Sequence, residues 1–279
     1  INSLVLVFFN LNHANTSDYL QGVARDVSPL LTDFGNDIAL DSGIFQRVKS
    51  VYEKRGSLDL NKEELRLLEK QYKDFVRNGA LLSEDEKDEL REIDKELSKT
   101  TLKFGENVLA GRKEYQLIIE NKEELAGLPN NVITAYQEEA KSRNLEGKWV
   151  VTLDYPSYVP FLRYSERREL REKIYKARCS LCFNDSKYGN EENIKTIVNG
   201  RDKRAKILGY ESYPHFVLED RMALTPEVVM DFSNDLLKKS KLAAKEELEE
   251  LISFAQGIGF KSELQRWDHR PGDQPRWCF

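Results

Sequence analysis

The chain has 279 residues, of which 40% are apolar and 33% charged, so it can bury a sizeable core beneath a highly charged surface. Its formal net charge of -5 argues against nucleic acid or an anionic membrane as the main partner. The apolar opening INSLVLVFF is too short to span a bilayer and lacks the marks of a signal peptide, and three cysteines are too few for a disulfide framework.

Helix-capping signals organise the first part of the chain. Asp41 is placed to cap a helix that ends near Arg55. Asn61 and Ser83 each stand three residues before a glutamate, which is the pattern of a capping box. Glycines that follow the apolar periods end both helices. The predicted helical ranges are 41–55, 61–79 and 83–111.

Two short segments then interrupt the helical pattern. EYQLIIE at 114–120 and KWVVTLD at 148–154 are rich in β-branched and aromatic residues, which predicts a pair of strands around a short helix near 131–143. Thr225 and Pro226 form a cap followed by a first-turn proline, which begins the longest predicted helix. The later helices are predicted at 165–178, 191–208, 213–222 and 226–257. The fold class is therefore mainly α, with one small inserted strand pair.

The stretch SYPHFVLEDRMA at 212–223 raises the question of a metal site. His215 and Glu219 are four residues apart, a spacing that puts two side chains on one helix face. A helical zinc peptidase site requires H-E-x-x-H, however, and here Phe216 replaces the glutamate and Glu219 the second histidine. We interpret His215 as a half-buried structural histidine.

Two other patterns leave alternatives open. Cys179 and Cys182 form a C-x-x-C motif, which suits a redox pair or half of a zinc site, but neither a βαβ context nor a second pair accompanies it. An aromatic cluster follows the second strand, and it either lines a groove for a peptide or packs at the strand exit. Its members are Tyr155, Tyr158, Phe161 and Tyr164. On the helix after it, Arg168 and Glu172 are spaced as an ion pair.

Long phrases of the sequence resemble the thimet-oligopeptidase-like zinc metallopeptidases, and most of all their bacterial peptidyl-dipeptidase Dcp branch. They include YKDFVRNGALLSEDEKDELREIDKELSKTTLKFGENVL, ELAGLP, LDYPSYVPFLRYSERRELREKIYKA and NGRDKRAKILGYESYPHFVLEDRMALTPEVV. The resemblance covers about residues 5–268. It implies a hydrolase that acts on short peptides in the cytoplasm and releases dipeptides from their C-terminal end.

The same resemblance implies zinc held by H-E-x-x-H and a later glutamate. No stretch of these 279 residues lines up with that motif. We therefore expect no catalytic residue, no metal ligand and no bound zinc in this chain, and its substrate-binding residues stay unknown.

The domain prediction follows from where the resemblance ends. Residues 1–268 are expected to form an amino-terminal helical region, incomplete at both ends, that builds one wall of a channel and is inactive alone. HRPGDQPRWCF at 269–279 departs from the family pattern and is expected to be irregular. The alternative is a non-catalytic helical module that binds peptides or another partner through the aromatic cluster.

Overall fold

The structure, a computed structural model, describes residues 2–183 and 187–268, so the predicted tail at 269–279 lies outside the described residues. The prediction of a mainly α fold with one strand pair is confirmed. The helices are α1 (Asn2–Ala14), α2 (Asp18–Ala39), α3 (Ser42–Glu53), α4 (Lys62–Arg77), α5 (Glu84–Glu114), α6 (Asn130–Ser142), α7 (Tyr155–Tyr164), α8 (Arg168–Cys179), α9 (Glu191–Ile207), α10 (Tyr213–Leu218) and α11 (Pro226–Gly257). The strands are β1 (Leu117–Ile119) and β2 (Trp149–Val151).

The predicted caps form as their sequences require. The Asp41 carboxylate accepts a hydrogen bond from the Ile44 N–H at 2.6 Å and begins α3. Asn61 and Glu64 form a reciprocal capping box at the start of α4. The Ser83 N–H likewise donates to the Glu86 carboxylate at 2.9 Å just before α5. Each cap satisfies backbone donors that a helix start leaves open, which is why these boundaries are legible in the sequence.

Three helices are not predicted from the sequence, although α2 does begin at a cap, where the Ser17 hydroxyl accepts a hydrogen bond from the Leu20 N–H. α2 continues through Pro29, although an internal proline removes one helical hydrogen bond. α7 has Pro156 in its first turn and Pro160 in its interior. The segment is expected from the sequence to be an irregular exit from the second strand, but it is helical. α1 is apolar around most of its circumference and therefore has no amphipathic period. Among the described helices, none combines the length and the apolarity needed to cross a membrane.

The chain divides into two compact units. The first comprises Ile1–Glu106 and Glu191–Phe232, and the second comprises Asn107–Asn190 and Ser233–Phe279. Two of the three boundaries fall inside helices, since α5 continues from the first unit into the second after Glu106 and α11 does so after Phe232. The third lies at the start of α9, before Glu191.

The second unit contains the strand pair and a well-defined core. β1 and β2 are antiparallel, with Leu117 opposite Val151 and Ile119 opposite Trp149. Buried side chains from the strands, from the connection between β1 and α6, and from α6, α7 and α8 pack into one cluster. They are Ile119, Leu125, Leu128, Tyr136, Val151, Phe161, Leu170 and Ile174. The Tyr136 hydroxyl donates to the Ser157 carbonyl at 2.7 Å, which ties α6 to α7.

Candidate functional site

The His215 side chain lies in a polar setting at the start of α10. Its Nδ1 is 2.8 Å from the Ser212 hydroxyl, and its Nε2 is 3.6 Å from a Glu211 oxygen and 3.7 Å from a Glu227 oxygen. The side chain is 28% exposed, which confirms the interpretation of a half-buried histidine. Its partners are a hydroxyl and two exposed carboxylates.

Glu219 points to different partners from those of His215. Its carboxylate accepts a hydrogen bond from the Tyr210 hydroxyl at 2.7 Å and pairs with the Arg77 guanidinium of α4. Arg77 also donates to the Phe216 carbonyl at 2.7 Å. The two residues of the suspected metal pair are thus held by separate networks, and the Glu219 network anchors α10 to α4.

Asp220 extends this anchor. It pairs with Arg77 at 2.9 Å and with Lys73 at 2.5 Å. The hydrogen bond from Lys73 lowers the pKa of the Asp220 carboxyl, and the positive charge of Arg77 lowers it further. The carboxylates of SYPHFVLEDRMA therefore serve the attachment of a short helix.

The described residues also offer no fit for the zinc ion that the resemblance implies. Within 2–183 and 187–268, no three His, Cys, Asp or Glu side chains lie close enough together to hold a metal ion. Zinc sites in enzymes need three protein ligands besides the reacting water. The donors around His215 do not supply such a set, so we assign no catalytic step to them.

The C-x-x-C cysteines differ in their surroundings. Cys179 is exposed at the end of α8, whereas Cys182 is buried, and no disulfide joins these two described cysteines. The Cys182 thiol donates to the Asn107 carbonyl at 3.2 Å, and its backbone has a φ of 58°. Gly111 leaves room for this sulfur, because a Cβ there would lie 3.0 Å from it. Cys182 packs as a core residue of the second unit.

The aromatic cluster is mostly committed to packing. Phe161 is fully buried, and Tyr158 and Tyr164 pack against the core of the second unit. Tyr155 is the exception at 69% exposed, with its ring 5.9 Å from that of Tyr158 in an edge-on arrangement. Of the two readings of this cluster, packing describes three of its members, and only Tyr155 is open to a ligand.

A cavity of about 400 Å³ lies within the first unit, between α1, α2 and α4. Its walls combine apolar side chains of α1 and α2 with polar side chains of α4. The lining residues are Val5, Leu31, Phe34, Gly35, Ile38, Ala39, Gln71, Asp74, Phe75 and Asn78. Its size falls within the range of small-ligand pockets.

A polar site in the second unit is one that the sequence does not reveal. The predicted pairing of Arg168 with Glu172 is wrong. Arg168 instead donates two hydrogen bonds of 2.8 Å each to the Asp268 carboxylate. Arg171 lies 3.5 Å from the same carboxylate and donates to the Trp267 carbonyl at 2.7 Å. The partners are about 100 residues apart in sequence, so helical spacing cannot indicate them.

This double-arginine clamp changes the acidity of Asp268. Burial by itself would raise the pKa of the Asp268 carboxyl, since it disfavours the charged form. Hydrogen bonds from Arg168 and the Gln265 N–H, with the charge of Arg171, outweigh that effect and lower the pKa overall. The Asp268 and Arg171 side chains are 3% and 5% exposed, so a paired and buried ion cluster fixes this segment to α8.

The amino-acid sequence of the chain is similar to those of several known peptidases. The chain is 30% identical to oligopeptidase A of Haemophilus influenzae and 31% identical to dipeptidyl carboxypeptidase of Escherichia coli, over 93% and 94% of its own length. It is also 30% identical, over 96% of its length, to a probable cytosolic oligopeptidase A of Arabidopsis thaliana. The chain is thus similar to oligopeptidases and dipeptidyl carboxypeptidases over most of its own length.

The family that the chain resembles is Peptidase family M3, which residues 161–272 match. The resemblance predicted from the sequence is thereby confirmed. The matched part begins at Phe161 and includes α8, the clamp and α10. The chain spans about two-fifths of the length of the curated relatives, 38% for the two bacterial proteins and 40% for the plant protein.

Proposed function

We propose that this chain is part of a metallopeptidase that hydrolyses short peptides and releases dipeptides from their C-terminal end. The observation that supports this function is the 31% identity to a dipeptidyl carboxypeptidase over 94% of the chain. The similar identity to oligopeptidase A keeps cleavage inside the peptide as the competing outcome. The proposed partners are peptides, and the proposed compartment is the cytoplasm, which the name of the probable cytosolic plant relative supports.

The contribution of this chain is structural in the proposal. Zinc is the cofactor that we propose for the complete enzyme, where it would activate water for attack on the peptide bond. The described residues do not fit that ion, so we assign them the role of a channel wall. We propose that the 279-residue chain alone is inactive.

The experiment compares this chain with a complete enzyme. The purified chain is incubated with a quenched fluorescent peptide and added zinc, with the Escherichia coli dipeptidyl carboxypeptidase as positive control. We expect no cleavage by the chain and chelator-sensitive cleavage by the control. Chelator-sensitive hydrolysis by the chain itself would overturn the proposed inactivity.

The reaction type is tested on a longer protein encoded by the same reading frame, if it contains H-E-x-x-H. Mass spectrometry of its products distinguishes the two outcomes, because a peptidyl-dipeptidase yields successive dipeptides whereas an oligopeptidase yields internal fragments. Absence of any peptide cleavage by that protein would refute the proposed function as a whole.

A second candidate function is peptide binding without hydrolysis. The observation that favours it is the exposed Tyr155 ring, which meets the Tyr158 ring in an edge-to-face arrangement. Aromatic surfaces of this kind accept extended peptides. Fluorescence anisotropy with labelled short peptides tests it, and binding that Tyr155→Ala abolishes would favour this candidate.

A further inference from the structure

The cavity between α1, α2 and α4 lies among the helices of the first unit. α2 lines it with residues three or four apart in sequence, from Leu31 to Ala39, and α4 adds a second such set from Gln71 to Asn78. Phe34 and Ile38 keep 47% and 42% of their surface exposed, so a molecule that enters the cavity can cover them. A concave surface with such walls suits a ligand that has an apolar body.

Gly35 keeps this cavity open. It lies in the interior of α2, where glycine is less favourable than alanine. Its backbone is helical, and a Cβ at this position would meet no atom within 4 Å. Neither the backbone conformation nor close packing therefore requires a glycine here. The missing side chain leaves space on the wall of the cavity instead.

Asp74 places a carboxylate on the wall that α4 forms. The residue is half-buried, and no donor in the described part of the chain hydrogen-bonds or ion-pairs with this carboxylate. Lys70 stands four residues before it but forms no ion pair with it, and Arg77, three residues after it, pairs with Asp220. A positive charge beside a partly buried carboxylate offsets the cost of its desolvation.

We propose that this cavity binds a small organic amine, with the ammonium group at Asp74 and the apolar body against the side chains of α1 and α2. An ammonium group donates charge-assisted hydrogen bonds to a carboxylate. The Gln71 amide oxygen lies on the same wall and supplies a second acceptor. The apolar body covers Phe34 and Ile38. This site is independent of the proposed peptidase function.

Other occupants fit the cavity less well. A carboxylate or phosphate would be repelled by Asp74. A neutral apolar molecule would take water away from the carboxylate without replacing its hydrogen bonds. A lysine or arginine side chain from the rest of the proposed larger enzyme has the right charge. It is much smaller than a cavity of about 400 Å³, however, and would leave most of it unfilled, whereas protein interiors are close-packed. A free amine with an aromatic body satisfies both charge and volume.

The first experiment titrates the full chain with phenylbutylamine and with its neutral analogue phenylbutanol, using isothermal titration calorimetry. We expect the amine to bind at least about tenfold more tightly than the alcohol. In Asp74→Asn the amine should bind only as weakly as the alcohol, whose own affinity should stay the same. No binding of the amine, equal affinities in the unchanged chain, or an unchanged amine affinity in Asp74→Asn would overturn the proposal.

The second experiment locates the binding with Gly35→Leu and its matched control Gly105→Leu. Both glycines lie inside helices, and a Cβ on either would meet no atom within 4 Å, so both variants should fold with unchanged or higher helicity. Gly35→Leu fills the cavity and should weaken amine binding at least about tenfold. Gly105 does not line the cavity, so its variant should bind as before. Equal amine affinities of the two variants would contradict the proposed location.

The third experiment distinguishes a free amine from a side chain of the larger enzyme. The titration is repeated with the longer protein from the same reading frame. We expect the affinity for phenylbutylamine to be retained there and to be lost again in Asp74→Asn. Loss of amine binding in the longer protein would show that another part of that protein occupies the cavity, and it would refute the proposal.

Discussion

Gly127 and Gly147 both have a left-handed backbone conformation but differ in the atoms that surround them. Their φ angles are 85° and 80°. A Cβ on Gly127 would collide with the Tyr164 carbonyl oxygen and lie 2.9 Å from the Glu166 side chain, whereas a Cβ on Gly147 would meet nothing within 4 Å. The Glu166 N–H also donates to the Ala126 carbonyl at 2.9 Å, so the backbone at this contact is held in place. An alanine at Gly147 would therefore add backbone strain alone, whereas an alanine at Gly127 would add both backbone strain and a steric collision.

We predict that Gly127→Ala lowers the free energy of unfolding by about 3 kcal/mol or more, and Gly147→Ala by about 1 kcal/mol. The smaller loss reflects the left-handed conformation alone, and the larger adds displacement of the Tyr164 backbone. Urea unfolding of the two variants measures the difference. Equal losses would show that the turn at Gly127 relaxes freely.

Asp268 gives a second prediction at this scale. Asp268→Asn should lower the unfolding free energy by about 3 kcal/mol at neutral pH, because it removes a buried carboxylate that is paired with the guanidinium groups of Arg168 and Arg171. The matched control is Asp59→Asn, an exposed carboxylate, which should change it by less than about 0.5 kcal/mol.

The effect of Asp268 should depend on pH in a defined direction. Its folded-state pKa is lowered, so its stabilising contribution is complete above the unfolded pKa of about 3.9 and disappears as pH falls through the folded pKa. The difference between the unchanged chain and Asp268→Asn should therefore shrink below about pH 4. A difference that stays constant from pH 7 to acid would contradict the clamp as an ion cluster.

The helices whose starts the sequence predicts are those with capping residues close by in the chain. α3, α4 and α5 begin at caps whose partners are two or three residues away, and α11 starts at the predicted Pro226. α8 and α10 are shorter than predicted, at Arg168–Cys179 and Tyr213–Leu218. The strands are confirmed but cover only three residues each.

Long-range partners decide the rest. α7 is stabilised by burial of Phe161 among residues of α6, α8 and the strands, and that gain overrides the internal Pro160. The Arg168–Asp268 pair is invisible to helical spacing for the same reason. The half-buried state of His215 is predictable because the sequence places it on a short helix next to polar residues, which is local information.

The attachment of α10 to α4 gives the prediction at element scale. Arg77 is 11% exposed and connects three groups of the α10 segment, so Arg77→Leu should cost about 2 kcal/mol, because the Phe216 carbonyl loses its donor and both carboxylates lose one of their partners. His215→Ala should cost at most about 1 kcal/mol, since its partners are exposed carboxylates and one hydroxyl.

Chemical denaturation of both variants, with zinc content measured beside it, checks this assignment. We expect the zinc content to be the same before and after His215→Ala. Zinc at one equivalent in the unchanged chain that His215→Ala removes would show that a metal site had been mistaken for a helix attachment.

The whole molecule combines one locally built core with units that interleave in sequence. Each unit consists of two separate stretches of the chain. The main buried cluster of the second unit nevertheless comes from a single stretch, between Ile119 and Ile174. Its strand pairing, the Tyr136–Ser157 hydrogen bond and the contact of Cys182 with Asn107 all fall within residues 107–183. That segment contains the contacts that a folding unit needs.

We therefore predict that residues 107–183, produced as a separate protein, fold and unfold cooperatively in urea with helical circular dichroism. The shortened protein lacks Trp267 and Asp268, which contact Arg171 in the full chain, so water can solvate the Arg171 guanidinium there. Within this short protein, Phe161→Ala should abolish folding, because truncating a fully buried phenylalanine costs about 3–5 kcal/mol, a large share of what a small domain has. Tyr155→Ala, which changes a side chain that is 69% exposed, is the matched control and should leave the transition in place. An unfolded segment, or equal effects of the two substitutions, would show that this core depends on the later part of the second unit.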